Sequence, residues 1–346
     1  MVKKGCTFGT HRSLEPKGGL PQPAWKVDNT PVIWENEILI DVETLNIDAA
    51  SFRQIAEEAK GDKEQIARTI MDTVSQRGKQ HNPVTGSGGM LIGRVAEVGK
   101  ALADRAGLIP GRRLATLVSL SLTPLIIEGV ISIKAETCQV DIRGKAVLFE
   151  SGIYAFLPDD MPEKLALAVL DVAGAPAQTA RLVGAGQRVL IIGAGGKSGL
   201  LCLHEARKRA GVTGQVIALE YSQAAVERVE SLGLADHVIK GDATDAIAVL
   251  EAVNQVTGGK LVDITINCVD VPGTEMASIL STRDGGIVYF FSMATSFTKA
   301  ALGAEGVGKD LTMLIGNGYA PGHAEISLHC LKENPALGEL FARLFG

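Results

Sequence analysis

One stretch of the chain limits its possible folds more than any other: RVLIIGAGGKSGLLCLHEA, residues 188–206. A run of large aliphatic side chains enters a cluster of glycines, Gly193, Gly195, Gly196 and Gly199, and leaves it as an apolar helical pattern. A strand that turns so abruptly into a helix has to return as a parallel neighbour, so a βαβ unit is predicted. The glycines allow a tight turn, close approach of backbone amides to a pyrophosphate, and close seating of the helix on the strand. The spacing Gly193-x-x-Gly196-x-x-Gly199 is not a strict G-x-G-x-x-G, because Ser198 stands where the third glycine of that motif falls.

The same alternation continues downstream. Strands are predicted at 188–194, 215–220, 237–240, 262–269, 286–293 and 310–317, separated by helices over 198–210, 222–233, 245–256 and 274–281. Six strands and their crossovers form a doubly wound α/β sheet, assigned to residues 161–346, and ligands of such sheets bind at the carboxyl ends of the strands. Candidate cofactor residues follow from that rule: Gly193, Gly195, Gly196, Lys197, Ser198 and Gly199 in the turn, with Asn267, Cys268, Ser292 and Met293 at later strand ends. Lys197 either pairs with a phosphate or points to solvent. Glu220 ends the second strand, 21 residues after Gly199, where a carboxylate accepts ribose hydroxyls and repels an added phosphate. NAD is therefore expected in preference to NADP.

Residues 1–160 read differently. EILIDVETLNID (37–48) alternates apolar and polar residues, and PVTGSGGMLIGRVAEVG (83–99) and GRRLATLVSLS (111–121) supply further strands of an antiparallel β-rich domain. Between the first two, Ile66, Ile70 and Val74 recur every four residues among charges, which predicts one inserted amphipathic helix within 57–79. Lys and Arg number 34 against 39 Asp and Glu, without a dense basic cluster, so nucleic acid is not an expected partner. No run of about 18 apolar residues suggests a membrane span. The five cysteines, at 6, 138, 202, 268 and 330, form no CxxC pair, so a cytoplasmic protein with reduced thiols is expected.

The order of a β-rich domain followed by a dinucleotide domain resembles the medium-chain dehydrogenase/reductase superfamily. EILIDVETLNIDAASF is similar to its EVLVKVxAxGINxxD strand, and GSGGMLIGRVAEVG to its GxExxGxVxxVG segment. The resemblance implies a GroES-like first domain, a Rossmann second domain and a homo-oligomer, with the C-terminal helix in part packing back on the first domain. Zinc-dependent members carry a Cys near Asn46–Asp48 and a His-Glu pair near Ser87–Gly89; this chain has neither, so no metal is expected. Within the superfamily, NPVTGSGGMLIGRV, KAVLFESGIYAFLPDDMPEKLALAVLDVAGAPAQ and GIVYFFSMATSFTKAALGAEGVGKD resemble the 3,5-diaminohexanoate dehydrogenases of lysine fermentation.

That resemblance implies transfer of a hydride from carbon 3 of a diamino acid to NAD⁺. An ammonium has no lone pair to form the C=N bond, so its proton must leave first. Asp48, Glu150 and Asp171 are the candidate acceptors. Glu150 also suits the second ammonium of the substrate, and Lys299, ahead of His11, Arg12, Thr85 and Ser87, suits its carboxylate; His81 is the weakest candidate. The alternatives are a zinc-independent NAD(P)H quinone or enoyl reductase, and a binding protein that kept the fold without the chemistry.

Overall fold

A computed structural model describes residues 3–316 and 318–346 and divides into two compact units, Met1–Pro158 and Asp159–Gly346. Unit 1 contains β1 (Ser13–Glu15), β2 (Lys26–Val27), β3 (Glu37–Asn46), α1 (Ala49–Glu58), α2 (Lys63–Arg77), β4 (Met90–Val98), β5 (Arg113–Thr116), β6 (Leu125–Lys134), β7 (Gln139–Phe149) and β8 (Tyr154–Phe156). Unit 2 contains α3 (Glu163–Leu170), α4 (Gly174–Leu182), β9 (Arg188–Ile192), α5 (Lys197–Ala210), β10 (Gln215–Glu220), α6 (Gln223–Leu232), β11 (His237–Lys240) and α7 (Ala246–Thr257). It continues with β12 (Val262–Asn267), α8 (Glu275–Ser281), β13 (Thr282–Phe290), α9 (Phe297–Gly306), β14 (Leu311–Ile315), α10 (His323–Glu333) and α11 (Pro335–Phe345).

Six strands of unit 2 form one parallel sheet in the order β11-β10-β9-β12-β13-β14. The chain winds outward from β9 in one direction and then restarts on its other side, so the order reverses between β9 and β12. Val189, Leu190, Ile191 and Ile192 of β9 are all fully buried, as expected for a central strand covered by helices on both faces. The C-terminal helix α11 packs on α3, α5 and α10 within the same unit.

The sheet of unit 1 is antiparallel, in the order β6-β7-β3-β4-β5-β8. Helix α2 falls within the 57–79 span predicted for one inserted helix, and α1, which precedes it, was not predicted. Asp48 caps α1 by accepting from the Ser51 N–H at 2.9 Å, which starts a helix before the charged stretch. Gly61, in the left-handed region at φ 77°, then breaks the chain, and Asp62 caps α2 through the amides of Glu64 and Gln65. Both helices bury apolar faces, Phe52 and Ile55 from α1 and Ile66, Ile70 and Val74 from α2, in the core of the unit. The ribbon of β6 and β7, to which the sequence reading assigned no strand, completes the sheet next to β3.

The N-terminal segment is fixed by a buried ionic knot. Arg12 and Glu37 are almost wholly buried and form two hydrogen bonds, Nε to Oε1 and Nη2 to Oε2, both 2.7 Å long. The remaining Arg12 protons go to the carbonyls of Asp28, Thr30 and Val32, and His11 Nε2 lies 2.8 Å from Glu37 Oε1. Glu37 titrates at about 2 instead of 4.5: burial, the largest influence, raises it, but the bonds from His11, Arg12 and the Trp34 N–H outweigh burial. A carboxyl lowered in this way stabilises the fold fully above its unfolded value, and the contribution is lost as pH falls from about 4.5 to about 2. Arg12→Leu, which strands the Glu37 charge, should cost about 3–5 kcal/mol in urea unfolding at neutral pH. A loss below about 0.5 kcal/mol would show that the knot does not stabilise the unit.

Candidate active site

The glycine turn of unit 2 is built so tightly that side chains are excluded. A Cβ on Gly199 would lie 2.1 Å from the Gly193 carbonyl oxygen, and Gly193 itself has φ 77° with Val269 Cγ2 2.7 Å from where its Cβ would stand. Glycine at 199 lets α5 start against the end of β9. No side chain caps α5, whose N-cap is Gly196, so its first amides remain available to an anion. Two side chains brace the turn from β10 and α6. Glu220 accepts from the Gly195 N–H at 2.5 Å and from the Tyr221 N–H at 3.1 Å, while Arg228 donates to the Gly195 carbonyl at 2.6 Å.

Next to the turn lies a cavity of about 280 Å³, lined among others by Ile192, Gly193, Leu219, Glu220, Asp242 and Thr274. Its walls are mostly apolar, and each Glu220 oxygen, having accepted one backbone bond, still has a lone pair to offer. An uncapped helix start, a glycine-rich turn and a pocket ending on a carboxylate together fit a dinucleotide. Gly193, Gly196 and the amides that open α5 would hold its phosphates, and Glu220 a ribose.

The other strand-end candidates have different roles. Asn267 is fully buried and its side chain is used internally: Nδ2 donates to Thr274 Oγ1 at 2.8 Å and Ser278 Oγ at 3.0 Å, and Oδ1 accepts from the Val269 N–H. It shapes the β12–α8 connection and offers no polar atom to a ligand, which corrects its reading as a cofactor residue. Cys268 is half-buried, with its sulfur 4.0 Å from that of Cys202. Ser292 bonds Asp270 at 3.3 Å, and Ser292 and the exposed Met293 line a second, apolar cavity of about 120 Å³ with Phe297, Met313 and Ile315. Ser198 is buried in the first turn of α5. Lys197 forms an ion pair with Asp171 at 2.7 Å, so these two candidates are brought together and Asp171 meets a cation within its own unit.

In unit 1, Asp48 uses one carboxylate oxygen to cap α1, while Oδ2 is buried without a hydrogen-bond partner. The loop 80–89 is packed alongside. Asn82 Nδ2 donates to the Ser51 carbonyl and to Gln54, and Ser51 Oγ lies 2.5 Å from Thr85 Oγ1. A Cβ on Gly89 would lie 2.7 Å from the Asp48 N, and one on Gly88 2.4 Å from the Gln80 carbonyl. Gln80 is fully buried with neither side-chain terminus hydrogen-bonded, and His81 Nδ1 is likewise buried and unpartnered. His81 is lowered to about 4 by burial and by the charges of Lys79 and Arg77, so its ring is neutral at pH 7. Lys79, buried with its ammonium on the carbonyls of Pro21 and Gln22, is lowered to about 8, chiefly by burial. Sequence reasoning missed Gln80 because a polar residue in a connecting loop carries no signal of burial.

Glu150, Arg12 and His11 are engaged elsewhere. Glu150 accepts from Asn36 Nδ2 at 3.0 Å and Thr7 Oγ1 at 3.2 Å, bonds that lower its carboxyl and hold the N-terminal segment. Arg12 is consumed by the knot at Glu37, and His11 lies on the same carboxylate, which corrects both as substrate ligands. Thr85 is exposed and Ser87 half-buried. In unit 2, Lys299 stands exposed in the first turn of α9, behind the Ser296 cap.

Gly199→Ala should destabilise unit 2 by about 1–3 kcal/mol and weaken dinucleotide binding, as read by thermal unfolding and titration calorimetry. Wild-type values in both would refute the steric account of the turn.

Known proteins agree with this architecture. Solved structures similar to the chain include AibC, with a TM-score of 0.53 at 21% identity over 88% of this chain and 82% of that one. An alcohol dehydrogenase of Thermotoga maritima gives 0.54 at 17% identity over 90% and 85% of the two chains. Both likenesses are of fold, a parallel-sheet α/β unit and an antiparallel β-rich unit. No helix among the described residues is long and apolar enough to cross a membrane. Residues 11–158 match the L-erythro-3,5-diaminohexanoate dehydrogenase N-terminal domain. Two proteins named L-erythro-3,5-diaminohexanoate dehydrogenase align along essentially their whole length: that of Acetoanaerobium sticklandii is 57% identical over 342 residues, 99% of each chain. That of Fusobacterium nucleatum is 55% identical over 344 residues, 99% of this chain and 100% of the relative. The chain thus belongs to the L-erythro-3,5-diaminohexanoate dehydrogenase family of oxidoreductases.

Proposed function

We propose that this protein catalyses the NAD-dependent oxidative deamination of 3,5-diaminohexanoate to 5-amino-3-oxohexanoate with release of ammonium. Unit 2 would hold the dinucleotide and unit 1 the diamino acid. The bound nicotinamide supplies the hydride acceptor. The protein has to take up the ammonium, remove its proton and shield the resulting iminium carbon until water adds.

The observation that carries the reading is the buried, unpartnered Oδ2 of Asp48. A buried carboxylate oxygen whose lone pairs meet no donor is costly, and an ammonium satisfies it with a charge-assisted hydrogen bond. A quinone or an enoyl substrate, which offers only acceptors, would leave it unmet. This favours amine chemistry over the quinone or enoyl reductase alternative. Asp48 then orients the reacting ammonium and accepts its proton; the hydroxyls of Ser51, in the first turn of the helix it caps, and Thr85 lie 2.5 Å apart. The preference for NAD rests on Glu220, whose carboxylate at the cavity edge would face a phosphate dianion at close range.

Asn caps a helix as well as Asp does, so Asp48→Asn should remove the charge while keeping the α1 cap. We expect kcat/KM for 3,5-diaminohexanoate to fall by about 10²–10⁴ with cofactor affinity little changed. The wild-type protein should reduce NAD⁺ with 3,5-diaminohexanoate, releasing one ammonium per hydride, and leave a simple alcohol, a quinone and an enoyl thioester untouched. Turnover of the quinone or enoyl compound without amine oxidation would overturn the proposal. Undiminished activity of Asp48→Asn would remove Asp48 from it.

A further inference from the structure

A pair of thiols lies directly behind the glycine turn. Cys202 is in the second turn of α5, fully buried, and its sulfur is 4.0 Å from that of Cys268, the residue after β12. Cys268 is only half-buried and is joined to the turn by its backbone: its N–H donates to the Ile192 carbonyl at 2.9 Å, and its carbonyl carbon lies 3.3 Å from where a Gly193 Cβ would stand. The two sulfurs thus connect the helix that presents phosphate-binding amides to the strand end beyond the topological switch. Among the described residues all five cysteines are free, so the pair is in its reduced form.

We infer that Cys202 and Cys268 form an oxidisable dithiol whose conversion to a disulfide by a hydroperoxide lowers affinity for the dinucleotide. This rests on the reading of the turn as the cofactor site. Closing the sulfurs from 4.0 Å to the bonded separation of about 2 Å requires a side-chain rotation at Cys268 or a shift of α5. A shift of α5 moves Gly199 against the Gly193 carbonyl, where a Cβ would lie only 2.1 Å away and there is no slack. The half-exposed Cys268 reacts first: its thiolate attacks the peroxide, the O–O bond breaks, and a sulfenic acid forms as the peroxide is reduced to alcohol or water. The Cys202 sulfur then attacks the Cys268 sulfur, the S–O bond breaks and water leaves. Overall, two thiols and one hydroperoxide give one disulfide, one alcohol and one water, with two electrons passing to the peroxide. Burial raises the Cys202 thiol well above its ordinary value and keeps it from the peroxide, so the first step falls to Cys268.

The test treats the full-length protein with tert-butyl hydroperoxide, with and without saturating NAD⁺, maps its peptides without reduction and titrates NAD⁺ by calorimetry. We expect a Cys202–Cys268 cross-linked peptide and an affinity lower by about tenfold or more, both reversed by a dithiol reductant, with bound NAD⁺ slowing the cross-link. Cys202→Ala should bind NAD⁺ like the reduced wild type and show no loss of affinity that a dithiol restores. Failure to form the cross-link at a dose that oxidises the exposed Cys6 would overturn the inference, as would a cross-link that leaves affinity unchanged. A reduced protein with no affinity for NAD⁺ would overturn the cofactor reading and the switch with it, whatever the peptide map shows.

Discussion

The contact between Gly199 and the Gly193 carbonyl is the constraint from which the rest of unit 2 follows. Helix α5 can begin at the end of β9 only because neither residue carries a Cβ, and this closeness aims the uncapped amides of α5 at the carboxyl edge of the sheet. Glu220 and Arg228 then hold the N–H and the carbonyl of Gly195 from two neighbouring elements, so the turn is fixed before any ligand arrives. Preorganisation of this kind removes the ordering cost from binding. The same rigidity makes the turn sensitive to what lies behind it, Cys268 and Val269 included.

Unit 1 solves a different problem, the satisfaction of buried polar groups. Around Arg12 every donor finds an acceptor, and the result is a fixed N-terminal segment. Around Asp48 and the loop 80–89 the opposite holds: Asp48 Oδ2, both ends of Gln80 and His81 Nδ1 are buried without partners. Native proteins leave few such groups, and where several share one neighbourhood a polar ligand is the economical explanation. The contrast sets the saturated cluster at Arg12 apart from the unsatisfied groups at Asp48, where the proposed function seats the diamino acid.

Much of this could be read from the sequence, and the physical reasons show where that stopped. The parallel strands of unit 2 are continuous apolar runs bounded by glycines and charges, so β9, β10, β11 and β12 fall within two residues of their predicted bounds. The turn was legible because only glycine tolerates its geometry. Helix α2 was legible because Ile66, Ile70 and Val74 give a clear period, whereas α1 was missed because it turns only Phe52 and Ile55 of its apolar residues inward. Strands β6 and β7 were missed because charges and Gly144 interrupt their alternation. Residue types could nominate Asp48, Glu150 and Asp171 as bases but not distinguish their surroundings; the Asn36 and Thr7 bonds at Glu150, the Lys197 pair at Asp171 and the unpartnered oxygen of Asp48 are features of the fold that no residue type announces.

The central claim is that a preformed turn, ending on the Glu220 carboxylate, selects an unphosphorylated dinucleotide. Titration of the purified protein with NAD⁺ and NADP⁺ under identical buffer and salt tests this most directly. The account predicts binding of NAD⁺ at least about tenfold tighter than NADP⁺, because a carboxylate that hydrogen-bonds two ribose hydroxyls repels a phosphate in their place. Equal affinity, or tighter binding of NADP⁺, would contradict it.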